Sequence, residues 1–190
     1  MSAQPGLTKP LKQHRAAVAT FRAVGALVLR EISTTYGRSP GGYVWAVLEP
    51  AAGITLLTLI FSIGFRSPPL GNSFALFYAA GFLPLMMYSD ISAKLAQTVQ
   101  FSRALLAYPR VTYLDALIAR LALNLLTQLM VHCIVLGFIL MVLQPTTTLN
   151  LTKIGQAYLV TLALAAGIGT LNSFLTLAYP VWQTAWAVLN

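Results

Sequence analysis

One stretch decides the fold class: Leu121-Ala-Leu-Asn-Leu-Leu-Thr-Gln-Leu-Met-Val-His-Cys-Ile-Val-Leu-Gly-Phe-Ile-Leu-Met-Val-Leu143. It carries no Asp, Glu, Lys or Arg side chain. A helix rises about 1.5 Å per residue, so about 20 apolar residues cross a hydrocarbon core ~30 Å thick. The stretch therefore predicts a transmembrane helix.

Three further stretches have the same character. We predict spans over residues 43–65, 74–92 and 154–179, in addition to 121–143. The connectors at 66–72 and 144–148 contain proline, which is typical of turns. Residues 181–190 are apolar again but too few to cross a bilayer, so we expect them to be the start of a fifth helix that is cut off.

The composition supports a membrane protein. Hydrophobic residues make up 57% of the 190-residue chain and charged residues 8%, whereas a soluble domain carries about 25% charged residues. The net charge of +8 would suggest nucleic acid in a soluble protein, but here the basic residues follow the predicted topology, and we expect no nucleic-acid partner. Cys133 is the only cysteine, which excludes a disulfide framework and a cysteine-based metal site. The sequence therefore predicts an all-α membrane protein.

The basic residues also predict the orientation. Ten of the 12 Lys and Arg residues precede the first span or flank the connector between the second and third spans; only Arg66 and Lys153 lie on the other side. Because cytoplasmic loops carry the excess of Lys and Arg, we predict that the amino terminus and this connector are cytoplasmic.

Residues 12–37 have a helical period but are too interrupted to span. Lys12, Arg15, Arg22 and Arg30 fall in one narrow sector, opposite a set of apolar residues. This pattern is typical of a basic amphipathic helix lying in the membrane interface, and we expect residues 1–11 to be a disordered cytoplasmic tail. The helix is either a simple lipid anchor or a lever that couples a cytoplasmic partner to the spans.

The connector after the second span predicts a short cytoplasmic helix. Val99, Arg103 and Leu106 are spaced i, i+4 and i+7, and Pro109 should end the helix near Tyr108. Such a helix can dock into a groove of a soluble partner. The alternative is a helical turn packed on the protein's own surface.

Several charged residues lie inside or beside the spans. Glu49 precedes Pro50, which should kink the first span, and Asp90 can pair with Lys94 one turn later. Arg120 lies near the start of the third span and can snorkel. Buried ionisable groups are functional candidates in a bilayer, but all of these lie in the predicted cytoplasmic half, which favours structural anchoring.

The third span carries a polar stripe, since Asn124, Gln128 and His132 recur every four residues. Such a stripe should face a neighbouring helix or a hydrated path, and interhelical hydrogen bonding is the more common role.

Two other patterns concern helix packing. Ala165, Gly169 and Ser173 form a small-xxx-small ladder on the fourth span, which permits close packing. Phe74, Tyr78 and Phe82 recur along the second span; they can stack on sugar rings, but an interfacial belt and helix packing are favoured.

The residues offer no catalytic chemistry. The sequence has no G-x-x-x-x-G-K-[ST] phosphate loop and no His-Glu-x-x-His, and its four acids are scattered. We therefore predict no enzyme, no bound cofactor and no metal. Energised work would draw on another subunit or on an ion gradient.

Two segments carry a family resemblance. The stretch Arg30-Glu-Ile-Ser-Thr-Thr-Tyr-Gly-Arg-Ser-Pro-Gly-Gly-Tyr-Val-Trp-Ala-Val-Leu-Glu-Pro50 resembles the opening signature of type-2 ABC exporter permeases, in particular the capsular-polysaccharide and O-antigen export branch. The run from Ser89-Asp-Ile-Ser-Ala-Lys94 through Leu105-Leu-Ala-Tyr-Pro-Arg-Val111 fits the same branch. The resemblance covers about residues 25–190.

The resemblance implies a homodimer in the bacterial inner membrane, with a separate ATPase on the cytoplasmic side that binds the ATP. It matches the family's interfacial helix to residues 12–37, with Arg15, Arg22, Arg30 and Glu31, and its coupling helix to about 96–108. It also implies six spans with re-entrant segments between the last two, and we expect this chain to end before those features.

The resulting hypothesis is a permease subunit that moves a polysaccharide, lipid-linked in the favoured version, from cytoplasm to periplasm. We expect the translocation path to be lined by polar and aromatic residues: Tyr43, Trp45, Tyr78, Phe82, Asn124 and Gln128. The alternatives are an ABC permease for a drug or lipid, half of an ion-coupled secondary transporter, and a non-transporting assembly subunit.

Overall fold

The computed structural model describes residues 24–30, 42–101, 112–143 and 149–189. All regular structure within these ranges is helical. The helices are α1 (24–30), α2 (Gly42–Gly64), α3 (Phe74–Ala96), α4 (98–101), α5 (Tyr113–Leu143), α6 (Leu151–Ala178) and α7 (Pro180–Leu189). The predicted tail at 1–11 lies outside the described residues, as does most of the predicted interfacial helix.

Four of these helices, α2, α3, α5 and α6, are long and apolar enough to cross a membrane. The predicted class of an all-α membrane protein with four spans is therefore confirmed. With 31 residues, α5 is about 46 Å long at 1.5 Å per residue, so it exceeds a hydrocarbon core of ~30 Å. Its first two turns therefore extend beyond the predicted span of 121–143.

Local capping explains where the helices begin. Thr112 and Asp115 form a reciprocal capping box: the Thr112 N–H donates to Asp115 Oδ2 (3.0 Å) and the Asp115 N–H to Thr112 Oγ1 (3.2 Å). Ser73 and Asn150 cap α3 and α6 by accepting from backbone N–H groups three residues on. Because of these caps, α5 and α6 start before the apolar runs do.

The centre of the bundle is α3. Its side chains at four-residue spacing form one fully buried stripe, which comprises Ala79, Leu83, Met87, Ile91 and Leu95. One half of the stripe packs with α2 and α5 around Ile54 and Val135, and the other half packs with α5 and α6 around Leu117 and Ala165.

The tightest helix crossing lies between α3 and α6. A Cβ atom on Gly169 would lie 2.7 Å from Leu95 Cβ and 3.0 Å from the Cα and carbonyl oxygen of Ser92. Ala165 and Ser173, one turn to either side, are fully buried. The predicted small-residue ladder is therefore the surface on which α6 approaches the backbone of α3.

The outer faces of the helices are apolar, as a lipid environment requires. Side chains more than half exposed occur on each long helix, among them Ile63, Leu85, Phe138, Met141 and Leu164. In water this surface would be far larger than the apolar patches that monomeric soluble proteins tolerate.

The chain turns after α6, and α7 folds against it. Pro180 occupies the first position of α7, where its missing N–H costs nothing. The Trp182 indole N–H donates to Asn172 Oδ1 at 2.9 Å, which ties the first turn of α7 to α6.

Candidate functional site

A polar cavity of about 250 Å³ lies between α2, α3 and α5. Its lining combines charged, amide, hydroxyl and aromatic groups with a few apolar side chains: Trp45, Ala46, Glu49, Pro50, Met86, Asp90, Lys94, Thr127, Gln128 and Val131. We refer to it as the polar cavity.

Each of the three helices contributes through its own sequence pattern. Pro50 lies inside α2, so Glu49 precedes a position where the i to i−4 hydrogen bond is lost. Asp90 and Lys94 are one turn apart in the last third of α3 and therefore share a face. Thr127 and Gln128 lie near the middle of α5. The cavity is thus a polar volume within the span of three apolar helices.

The polar stripe of α5, taken together with Thr127 alongside it, divides into two roles. The Asn124 side-chain amide donates to the carbonyl of Arg120 (2.7 Å), and the Thr127 hydroxyl donates to the carbonyl of Leu123 (2.9 Å), so both groups are satisfied within their own helix. Gln128 instead reaches across the bundle, and its side-chain amide donates to the carboxylate of Asp90. Gln128 is therefore the interhelical member of the stripe.

The spacing of Asp90 and Lys94 allows them to pair on their own helix, and structural anchoring is the favoured role for both. In the structure Asp90 has a hydrogen-bond partner on α5, and both Asp90 and Lys94 line the polar cavity with Glu49. Each of these three charged residues could be identified in the sequence as lying in or beside a span. Their assembly escaped prediction because it depends on how α2, α3 and α5 are rotated about their axes.

The cavity has the chemistry of a site for hydroxyl-rich or hydrated groups. Two carboxylates accept hydrogen bonds, while an ammonium and an amide donate them. Trp45, 67% exposed, adds an indole that can stack on an apolar face. Within the described ranges no group of three or more His, Cys, Asp or Glu side chains could hold a metal ion.

Two of the aromatic residues predicted to line the path, Tyr78 and Phe82, do not join this site. Tyr78 and Phe82 line a separate groove of about 620 Å³, largely apolar, near the loop between α2 and α3. Tyr78 and Asp90 are 12 residues apart on α3, which corresponds to about 18 Å along the helix. Of the residues predicted to line a path, the structure brings Trp45 and Gln128 together and leaves Tyr78, Phe82 and Asn124 outside.

Tyr78 and Phe82 serve helix packing. The Tyr78 ring lies 5.3 Å from that of Phe61 on α2 and 5.2 Å from that of Phe77, centroid to centroid. The Phe82 ring approaches the backbone of α2 so closely that a Cβ on Gly53 would lie 2.8 Å from it. Tyr78 and Phe82 thus contact α2, as expected from the helix packing favoured for these aromatic residues.

His132 faces another helix rather than lipid or the polar cavity. It is buried, and its ring meets the Tyr158 ring on α6 edge-on, with centroids 5.5 Å apart. The contact is interhelical, but neither ring nitrogen of His132 has a hydrogen-bond partner among the described residues. The interhelical hydrogen bond favoured for the stripe is therefore made by Gln128 and not by His132.

A cluster of basic and aromatic groups lies at the end of the bundle where α3 ends and α5 begins, which we call the basic end. The guanidinium carbon of Arg120 lies 4.4 Å from the centroid of the Phe101 ring, and that of Arg30 lies 5.5 Å from it. Arg120 is buried. The sequence indicates that Arg120 can snorkel; in the structure the Phe101 ring lies against its guanidinium.

The remaining predicted site residues divide by where they fall. Val99 lies in α4 and is half-buried, and the backbone of Tyr43 lies in the first turn of α2. The others lie outside the described residues: Arg15, Arg22, Glu31, Arg103, Leu106 and Tyr108.

Comparison with known proteins gives a consistent set of relatives, although no family model matches the sequence. The chain is 28% identical over 166 residues, 87% of its length, to the polysialic acid transport protein KpsM of Escherichia coli. It is 22% identical over 169 residues to the capsule polysaccharide export inner-membrane protein CtrC of Neisseria meningitidis serogroup B. It is 21% identical over 170 residues to the capsule polysaccharide export inner-membrane protein BexB of Haemophilus influenzae; both alignments cover 89% of the chain.

The alignments cover 64% of each of these three relatives, so the chain spans about two thirds of their length or slightly less. Their names agree with the capsular-polysaccharide branch that the segments at 30–50 and 89–111 resemble. The suspected resemblance is confirmed at this level.

Proposed function

We propose that the chain is the membrane-spanning permease subunit of an ATP-driven exporter that moves a polysaccharide from cytoplasm to periplasm across the bacterial inner membrane. The observation that carries the proposal is similarity over 87–89% of the chain to proteins named for polysialic acid transport and capsule polysaccharide export. Four membrane-capable helices and an intramembrane polar cavity suit such a role.

The names of the relatives favour polysaccharide over a drug or lipid as cargo. The polar cavity is compatible with this preference, since carboxylate, amide and indole groups can contact sugar hydroxyls and ring faces. A lipid carrier on the polymer would face the apolar outer surfaces of the helices.

The energy source belongs to a separate subunit in this proposal. The sequence contains no phosphate loop, so ATP would be bound by a cytoplasmic ATPase that contacts the predicted coupling helix. Two permease copies would enclose the path, as the family resemblance implies. The excess of basic residues at one side would place the amino terminus in the cytoplasm.

Deletion of the gene in a strain that displays a surface polysaccharide tests the cargo and the direction. We expect polymer to accumulate in the cytoplasm and to disappear from the surface, and we expect the wild-type gene to restore display. Normal surface polymer in the deletion strain would overturn the proposed function.

The contact with the ATPase is tested by changing Arg103 and Leu106 together to Asp. Two acidic residues would remove an apolar knob and reverse a charge on the predicted docking face, so we expect the ATPase to be lost from the purified permease while membrane insertion is retained. Undiminished co-purification would contradict this assignment of the coupling helix.

A further inference from the structure

Two adjacent residues, Gln100 and Phe101, connect the segment after α3 to three other elements. Helix α3 ends at Ala96, and Gln97 interrupts the helical course with φ −87° and ψ 3°. The chain resumes a helical course over α4, where the Phe101 N–H donates to the Gln97 carbonyl at 3.1 Å. These residues are also the start of the predicted coupling helix at 96–108.

Phe101 is the meeting point of α4 with α1 and α5. Two guanidinium groups lie within 6 Å of its ring centroid, that of Arg120 at 4.4 Å and that of Arg30 at 5.5 Å. A cation at this distance from an aromatic face is attracted by the quadrupole of the ring, and more strongly where water is excluded. Arg120 is only 6% exposed, so its contact with Phe101 is the better shielded of the two.

Gln100 contacts a different element. Its side-chain amide donates to Gln183 Oε1 on α7 at 2.8 Å, and the Gln183 amide donates back to Gln100 Oε1 at 3.3 Å. A cavity of about 160 Å³ beside the pair is bounded by the end of α3, by Thr176 on α6 and by Trp186 on α7. The amide pair is therefore a two-point bridge between α4 and a helix 83 positions away in sequence.

Consecutive residues of a helix project about 100° apart, which is why Gln100 and Phe101 can address α7 on one side and Arg120 with Arg30 on another. We propose that these two residues form a joint that transmits displacement of the coupling helix to α7, α5 and α1 together. They are positioning residues, since neither is required to touch the polymer. The proposal rests on the proposed exporter function.

The first test separates transmission from folding, with the full-length permease assembled with its ATPase. For Phe101→Leu we expect unchanged membrane levels, ATPase co-purification and ATP hydrolysis, with polymer export lowered roughly 5-fold or more, the lower end of measured coupling between sites. Phe101→Tyr keeps an aromatic face and should export like the wild type. Phe138→Leu, at a side chain 66% exposed on α5, is the matched control and should also be unaffected.

Normal export by Phe101→Leu would overturn the joint. So would a loss of export accompanied by an equal loss of permease or of bound ATPase, because Phe101 would then be a folding or docking residue. If Phe101→Tyr also failed to export, the aromatic face of residue 101 would not be what transmits the displacement, and the joint would be contradicted.

The amide bridge is tested by a double-mutant cycle on export. Gln100→Leu and Gln183→Leu should each lower export, and the double variant should be no worse than the more affected single variant, because either change removes the same interaction. If the fold-losses of export in the two single variants multiply in the double variant, the two residues act separately. That result would contradict the bridge.

A third measurement does not depend on transport. The full-length chain with Cys133→Ser then receives Gln100→Cys and Gln183→Cys. A short bifunctional thiol reagent should join these two cysteines in native membranes. The pair 100 and 184, with Thr184→Cys, should react more slowly. If the 100–183 pair does not react preferentially, the joint fails while the exporter function stands. If it reacts but deletion of the gene leaves surface polymer normal, the exporter function fails while the contact stands.

Discussion

The crossing of α3 and α6 makes a quantitative prediction for Gly169→Ala. The added Cβ would lie 2.7 Å from Leu95 Cβ and 3.0 Å from two backbone atoms of Ser92. Carbon atoms in favourable contact are about 3.5–4.0 Å apart, so about 0.8 Å of separation is required. Because two of the three obstructing atoms are backbone, the two helices must move apart rather than a side chain turning aside.

Overpacking of this kind costs about 1–3 kcal/mol. Replacing Gly by Ala in a helix gains up to about 1 kcal/mol through propensity, so we expect a net destabilisation of up to about 2 kcal/mol. For a chain of this size each kcal/mol lowers the melting temperature by about 2–4 °C. The apparent melting temperature in detergent, followed by fluorescence-detected gel filtration of a tagged protein, should therefore fall by a few degrees.

Gly167→Ala is the matched control. It lies on the same helix, and a Cβ there would have no atom within 4 Å, so only the propensity gain applies and the melting temperature should stay constant or rise. Equal melting temperatures for the two variants would refute the reasoning, because the close approach at Gly169 would then carry no steric cost.

Two further predictions concern cross-helix hydrogen bonds. Gln128→Leu should lower stability by about 1–3 kcal/mol, because it leaves the Asp90 carboxylate without its partner on α5. Thr127→Val removes only a bond within α5, and a Thr hydroxyl bonded to the carbonyl four residues back adds little to helix stability. Its cost should therefore be the smaller of the two, and thermal melts that show equal losses would contradict the assigned role of Gln128. Trp182→Phe removes the indole hydrogen bond to Asn172 and should cost about 1 kcal/mol while accelerating hydrogen exchange in α7. Exchange at the wild-type rate would show that this bond does not hold α7.

The sequence by itself determined the four spans, because an apolar run is a local property of the chain. The starts of α5 and α6 are set locally as well, but the apolar runs place them at 121 and 154 and the helices begin at 113 and 151. The run at 121–143 carries no Asp, Glu, Lys or Arg, so it favours a lipid environment whichever helices it packs against. The capping residues Ser73 and Asn150 act on N–H groups three positions away. The ladder around Gly169 was also readable, since residues four apart on a helix share a face whichever helix they meet.

The tertiary structure alone decided which polar groups meet. The Asp90–Gln128 bond joins positions 38 apart, and the Gln100–Gln183 bridge joins positions 83 apart. Both depend on the rotation of each helix about its axis, which helical periodicity does not specify. For the same reason the charges of Glu49, Asp90 and Lys94 could be predicted to lie in or beside spans, but not to line one cavity. Residue-level periodicity identifies a face, and only packing identifies what that face contacts.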